Sequence, residues 1–304
     1  MTEKTLPTSI ETKKKFFTKK RICSILITLF CLCMAVFMLF PMYMIYINSF
    51  KNFFQFIIDP LSLPKPWTLK NYEYAVESFN YFRLLLNNLV FESVSLFFIV
   101  LLGAMAGYTI ARRPSRFKRI IYIYIVMGIT LPTYTALYPQ IRLISDLGLT
   151  DTYAGVIVLY VAAGMPMSIF LFNGHFGGAS SELEDAAKID GCSYYRQFFS
   201  IFFPLSIATC ATLVLVQAVS IWNDTTFTPL VISKDSAKWS LMTQLNTAMG
   251  RMIGQGTRWE RLVCHCGAVY AADDRAVLFC QSLSDPRRCG GSGKRLGEYE
   301  ILYV

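Results

Sequence analysis

Apolar and polar positions in this chain come in long blocks rather than in a short period. The first block, Ile22 to Asn48, runs for about 27 residues without a charged side chain, and roughly 20 apolar residues cross a bilayer, so it predicts a tilted spanning helix. Lys13, Lys14, Lys15, Lys19, Lys20 and Arg21 precede it. The block is too long for the apolar core of a signal peptide, and no clear cleavage site follows it. Positive flanks favour the cytoplasmic side, which places residues 1–20 there. Residues 52–82 are then outside, with Pro60, Pro64 and Pro66 excluding regular structure through the middle. Leu84 to Ala111 is a second span, with Gly103, Ala104, Ala106 and Gly107 as a small-residue packing face. Its one acid, Glu92, reads either as a pathway or interface residue or as a carboxylate reaching water near the outer interface. Arg112, Arg113, Arg116, Lys118 and Arg119 mark a return to the cytoplasm.

The second half continues the alternation. Ile120 to Leu143 is a third predicted span, broken by Pro132 and Pro139, which read as kinks or, more sharply, as lining of a transport path. A short outside turn over 145–152 leads to a fourth span, Tyr153 to Phe172. A fifth runs from Phe198 to Trp222, with Trp222, Asn223 and Asp224 at the outer interface, where an indole is at home. Residues 225–256 are expected as an outside loop. The pattern is that of an all-α integral membrane protein with five spans.

Between the fourth and fifth spans lies the charged segment SELEDAAKIDGCSYYRQFFSIFFPLS, Ser181 to Ser206. Ser181 and Glu184 have the spacing of a capping box. Leu183, Ala186 and Ala187 fall on one face of a short helix, with Glu182, Asp185 and Lys188 mostly elsewhere. Gly191 is placed to end that helix in the left-handed conformation, and Ser193 to cap the next one. The product is a helix-turn-helix at the cytoplasmic surface.

Asp185-Ala186-Ala187, Gly191, Ile201 and Pro204 resemble the EAA–G–I–P signature of permease subunits of binding-protein-dependent ABC importers. Asp185 stands where that family usually has Glu. FPMYMIYINSFK (Phe40–Lys51), WTLKNYEYAV (Trp67–Val76), LPTYTALYPQIRLISDLGLTDTYAG (Leu131–Gly155) and Trp222-Asn223-Asp224 are similar to segments of the MalG-like carbohydrate permeases within it. The resemblance implies the type I importer permease fold, with six spans in the family and a permease domain over 21–258. It implies that 174–200 is an ATPase-coupling loop carried by Glu182, Glu184, Asp185, Ala186, Ala187, Lys188, Asp190, Gly191, Ile201 and Pro204. It implies a second homologous permease, two ATPase subunits, an extracellular solute-binding protein and a sugar as partners, and a place in the cytoplasmic (inner) membrane.

Composition agrees: of 304 residues, 54% are hydrophobic and 16% charged, far from a soluble domain. The net charge of +9 does not point to nucleic acid, because the positive residues flank apolar spans. There is no glycine-rich phosphate loop, and His175 and His265 have no triad partners, so catalysis by this chain is not expected and the energy source is another subunit. No cofactor or metal is expected. A membrane-bound enzyme or scaffold with a cytoplasmic docking loop is the alternative class, and an inactive permease a further one.

Residues 259–304 change character. They contain no apolar run able to span, and Cys264, His265, Cys266, Cys280 and Cys289 fit no common zinc framework. Codons allowed for Ala268 to Arg295, read one nucleotide on, encode LSMLPMIVLYFFANRYLIQGVAAGAVK. That string resembles the family's sixth span and its C-terminal end. With the lead-in obtainable from Leu262 to Gly267, the uncharged run reaches about 20 residues, enough to cross. The tail is therefore expected to be out of frame and to lack the sixth span, with a natural five-span variant carrying a novel tail as the competing reading.

Overall fold

The computed structural model describes residues 10–255, so the tail read as out of frame lies outside the described residues. Within that range the chain is helical, with no strand among the described residues, and residues 10–73 and 74–255 form two compact units.

The first unit begins with α1 (Ile10–Ser49), whose stretch Arg21–Ser49 is long and apolar enough to cross a membrane. Short helices α2 (Phe53–Ile58) and α3 (starting at Lys70) flank an irregular proline-containing stretch, so regular structure returns on either side of the prolines. A helix end leaves its last carbonyls unsatisfied. Here Asn71 Nδ2 donates to the carbonyls of Ser49 (3.0 Å) and Lys51 (2.8 Å), and Phe50 packs against the rings of Trp67 and Tyr72. The fully buried Lys51 donates its Nζ to the carbonyls of Asp59 (2.9 Å) and Pro60 (3.0 Å). Burial lowers its pKa, against the opposing pull of the Asp59 charge.

The second unit is organised by α4 (Tyr81–Arg112) and α7 (Tyr153–Gly178), both of spanning length. They meet along the predicted small-residue face. A side chain on Gly103 would collide with Ser168, and one on Gly107 would come within 2.7 Å of Phe172 Cβ. Ser168 Oγ, fully buried, donates across the pair to the carbonyl of Ile99 at 2.8 Å. Phe91, Ile99, Tyr108, Phe172, Phe176, Phe202 and Leu213 form the centre of the core.

Three expectations need correction. The third predicted span is not one helix: α5 (Arg116–Met127) stops, a 3-10 turn spans Thr133–Ala136, and α6 (Leu137–Asp146) restarts. Pro132 withholds an N–H and bars helical geometry before it, whereas Pro139 sits in the first turn of α6, where its missing donor costs nothing. Pro139 therefore starts a helix rather than kinking one. The fifth predicted span is bent by 70° between Tyr194–Leu205 and Ile207–Trp222. It passes from α9 (Tyr194–Gln197) through a π turn (Phe198–Phe202) and α10 (Phe203–Leu205) to α11 (Ile207–Trp222). Pro204 removes a backbone donor there, and a π turn plus proline is a standard cause of such a break. Among the described residues, three helices are long and apolar enough to cross, or four with this bent pair.

The expected outside loop over 225–256 is largely helical: α12 (Phe227–Val231) and α13 (Leu241–Gln255). Leu241 packs on Leu84 of α4, with Leu245 alongside, so the helical spacing of Leu241, Leu245 and Ala248 was a readable signal. Asp151, at φ +60° in the turn before α7, accepts the backbone N–H groups of Ser233 (2.9 Å) and Lys234 (3.0 Å) and ties the segment after α12 to that turn.

Candidate functional site: a capped charged loop and a polar cavity

The charged segment folds as two helices joined by a glycine turn. α8 runs Ser181–Ile189, and its N-cap is Ser180, whose Oγ accepts from Glu182 N at 3.2 Å. The expected cap, Ser181, is instead the first helical residue. Either of two adjacent serines can accept the free N–H groups, and the earlier one does so. Glu182 and Glu184 lie in the first turn and Lys188 in the last, each complementing the helix dipole. Lys188 Nζ pairs with Glu184 (3.0 Å) and Asp185 (3.2 Å), which raise its pKa. Gly191 closes the helix at φ +72°, its N–H donating to Lys188 and that of Cys192 to Ala187, a Schellman end. Asp190 is the C-cap. Ser193 caps α9 as expected, accepting from Arg196 N at 3.4 Å.

The expected common face of Leu183, Ala186 and Ala187 is divided. Ala187 alone of α8 is buried, while Leu183, Ala186 and Asp185 face outward. Ile189 is 86% exposed and Tyr195 69%, so apolar groups project from the loop on the side away from the core. Ile201 and Pro204 are not part of that surface. Ile201 packs on the core from the π turn, and Pro204 is exposed at the bend.

A second constellation lies between α7 and the end of α11. A cavity of about 380 Å³ is lined by polar groups of Tyr160, Gln217, Ser220, Asn223 and Asp224, among others. Its size falls within the roughly 300–1,000 Å³ of small-molecule sites. Tyr160 Oη donates to Asp224 Oδ2 at 2.9 Å and lies 3.2 Å from Thr228 Oγ1. Asp224 also accepts the backbone N–H groups of Phe227 (3.0 Å) and Thr226 (3.2 Å), which fix its carboxylate over the start of α12. Asn223 and Asp224 thus line the cavity, but Trp222 does not. It is 2% exposed, buried in the protein at the last residue of α11, which fits a packing position rather than a lining one. Glu92, half-buried on α4, Pro132 and Pro139 are not among the lining residues. Sequence reasoning missed Tyr160 and Gln217. The signal for Gln217 was an amide within an otherwise apolar run, which in a span points to a polar partner or path.

The two constellations are joined by a stretch that matches a single family model. Residues 99–271, more than half the chain, match the binding-protein-dependent transport system inner membrane component. The chain belongs to this permease family. It is 30% identical over 207 residues to the diacetylchitobiose uptake system permease protein NgcG of Streptomyces coelicolor, covering 68% of each chain. It is 30% identical to the probable starch degradation products transport system permease protein AmyC of Thermoanaerobacterium thermosulfurigenes, over 69% of this chain and 76% of that one. It is also 30% identical to the multiple sugar-binding transport system permease protein MsmG of Streptococcus mutans, over 68% and 75%. A bacterial ABC transporter that imports the acidic polysaccharide alginate has a chain of the same fold, with TM-score 0.72 and 18% identity over 88% of this permease and 97% of that chain. The permease is therefore an all-α, multi-pass inner-membrane protein with the ABC importer permease fold, working as a component of a transport system.

Proposed function

We propose that this permease carries a sugar or oligosaccharide across the cytoplasmic membrane as one of two homologous permease subunits, with hydrolysis performed by two separate ATPase subunits and no catalysis of its own. The observation that carries the reading is the α8–α9 loop: a helix locked at both ends, Ser180 at one and Gly191 at the other, that turns Leu183, Ile189 and Tyr195 outward. Such a rigid, partly apolar projection is suited to sit in a cleft of another protein, and Glu182 to Asp190 with Gly191 form the docking element. Ile201 and Pro204 shape the bend behind it. The sugar assignment is supported by the names of the relatives and by the cavity. Hydroxyls, amides and one fixed carboxylate can hydrogen-bond a polyhydroxylated solute, and an anionic wall disfavours an acidic one. An extracellular solute-binding protein delivers the substrate, and residues 1–20 face the cytoplasm.

The domain reading goes with it: a permease domain over 21–258 and a tail over 259–304 translated out of frame in place of a sixth span. The match to the family model reaches residue 271, inside that tail, so the change of frame is the part of this reading that needs its own test. Resequencing the gene tests the tail: nucleotides encoding Ala268 to Arg295 that give no apolar span in the next frame end that proposal.

For function, the frame-restored chain is reconstituted with the partner permease, ATPase and solute-binding protein, and uptake of labelled neutral oligosaccharides is measured. ATP-dependent uptake is expected, and uptake independent of ATP overturns the reading. Orientation is tested separately by cysteine labelling. Probes at Lys65 and Lys238 are reached from outside and probes at Ser115 and Lys188 are not; outside labelling at Lys188 sinks the docking assignment.

A further inference from the structure

The loop that would dock the ATPase is continuous with two helices, yet its strongest attachments are to a third. Arg112, at the last turn of α4, donates Nη2 to the carbonyl of Ala179 at 2.8 Å, one residue before the cap of α8. On the far side of the loop, Tyr194 donates its hydroxyl to Thr109 Oγ1 at 3.2 Å, and the Arg113 guanidinium lies 4.1 Å over the Tyr194 ring. Arg112 also covers the Phe202 ring at 4.7 Å. Between these clamps Tyr108, almost fully buried, packs on Tyr194 (5.0 Å), Phe202 (5.1 Å), Phe198 (5.3 Å) and Phe176 (5.6 Å). Both ends of the loop are therefore held by the C-terminal end of α4 and its cap, residues 108–113.

The path along the chain is softer. From α9 towards α11 the backbone crosses the π turn at Phe198–Phe202 and the 70° bend at Ser206. The π turn and the proline bend interrupt the regular hydrogen-bond ladder on that path, whereas α4 is an uninterrupted helix of 32 residues packed along α7. At its other end, Asn87 of α4 accepts from Tyr153 of α7 at 2.8 Å and donates to the carbonyls of Ala237 and Trp239 in the segment before α13.

We propose that the last turn of α4 is the transmission anchor of the importer: Arg112, Thr109 and Arg113 are positioning residues that make the docking loop move as one body with α4, and motion reaches the outer face through α4 rather than through α11. None of the family signature positions includes these residues. The proposal rests on α8 being the ATPase docking element.

The test uses the full reconstituted importer and three readings: ATPase retained on the purified complex, ATP hydrolysis stimulated by the binding protein, and sugar transported per ATP. Arg112→Ala is expected to keep the ATPase bound but to lower sugar per ATP by roughly tenfold, the scale of a hydrogen bond from a charged group. Tyr194→Leu removes ring and hydroxyl together and is expected to lower it by about threefold, whereas Tyr194→Phe, which keeps the ring under Arg113, retains most of the ratio. Arg112→Ala combined with Tyr194→Leu should be no worse than Arg112→Ala alone, since one anchor fails in both. An unchanged ratio in Arg112→Ala overturns the anchor. If that variant does not assemble, Tyr194→Leu and Tyr194→Phe decide: equal ratios in the two overturn it. Ala186→Arg, on the exposed face of α8, keeps the docking reading separate. Release of the ATPase there with an unchanged ratio in the α4 variants refutes the anchor alone, and retention of ATPase and transport in Ala186→Arg removes the basis of both.

Discussion

The α8–α9 loop and the polar cavity are built in opposite ways. The loop is a local object. Its caps, its glycine and its acid–base pairs lie within residues 180–196, and the bonds that set its internal turns join positions a few residues apart, while Arg112 and Thr109 of α4 hold it from outside. The cavity is assembled from α7, the end of α11 and the turn into α12, and its central bond links Tyr160 to Asp224, 64 positions on. The loop therefore keeps its shape so long as a few backbone conformations are allowed. The cavity depends on how the long helices pack, and a change far from it can open or fill it.

That contrast can be broken by substitution. The largest effect is expected at Gly103→Val, where the new side chain meets Ser168 of α7. Overpacking at this crossing costs about 3 kcal/mol or more, and the expected outcome is loss of monodisperse protein from detergent, cavity included. Recovery of a complex with normal thermal stability would show that α4 and α7 do not hold the unit together. Gly191→Val acts on the loop alone. A β-branched residue at φ +72° costs roughly 1–2 kcal/mol, so the turn opens; folding survives, but the ATPase dissociates or hydrolysis runs without transport. Wild-type uptake by this variant would mean that the turn geometry is dispensable.

Tyr160→Phe should act on the cavity alone. It removes a hydrogen bond to a carboxylate worth about 1.5–3 kcal/mol, so uptake falls roughly tenfold with the ATPase still bound. Loss of the ATPase in that variant would show that the two constellations are not separable. Ser180→Ala removes the cap that the structure identifies and should lower stability by about 1 kcal/mol, read as a shift in thermal unfolding. Ser181→Ala should do almost nothing, and the reverse order would restore Ser181 as the cap.

The smallest effect concerns pH. The carboxyl of Asp151 is held below its ordinary value of 3.8, first by the backbone N–H of Lys234, then by that of Ser233 and by the Lys234 ammonium. A lowered folded pKa means that this tie is in place above the ordinary value and is lost as pH falls through the lowered one. Protection of the Ser233 and Lys234 amides, measured against their intrinsic exchange at each pH, should therefore fall on acidification below about pH 4, and in Asp151→Asn that pH-dependent fall should be absent.

Much of this was legible in residues. Block hydrophobicity marked α1, α4 and α7 because crossing a bilayer demands a minimum uninterrupted apolar length. Gly191 and Ser193 were readable because a left-handed turn and an N-cap each restrict residue type at one position. The small-residue face of α4 was readable because only such residues let two backbones approach. Other readings failed for reasons equally physical. Ser180 and Ser181 are chemically equivalent as caps, and only the structure shows that Ser180 is the one used. Pro132 and Pro139 look alike in a string, but one lies in the break between α5 and α6 and the other in the first turn of α6.

What the amino-acid sequence determined by itself is the class of the molecule, its long helices α1, α4 and α7 and the turn chemistry of the α8–α9 loop, since each rests on local backbone preference or on transfer from water to an apolar phase. Tertiary structure decided the rest. The burial of Trp222, the meeting of Tyr160 with Asp224, and the grip of Arg112 on Ala179 all join residues distant in the chain. No local propensity encodes such pairs. They exist because the α4–α7 crossing and the break after Phe202 set the angles at which those side chains meet.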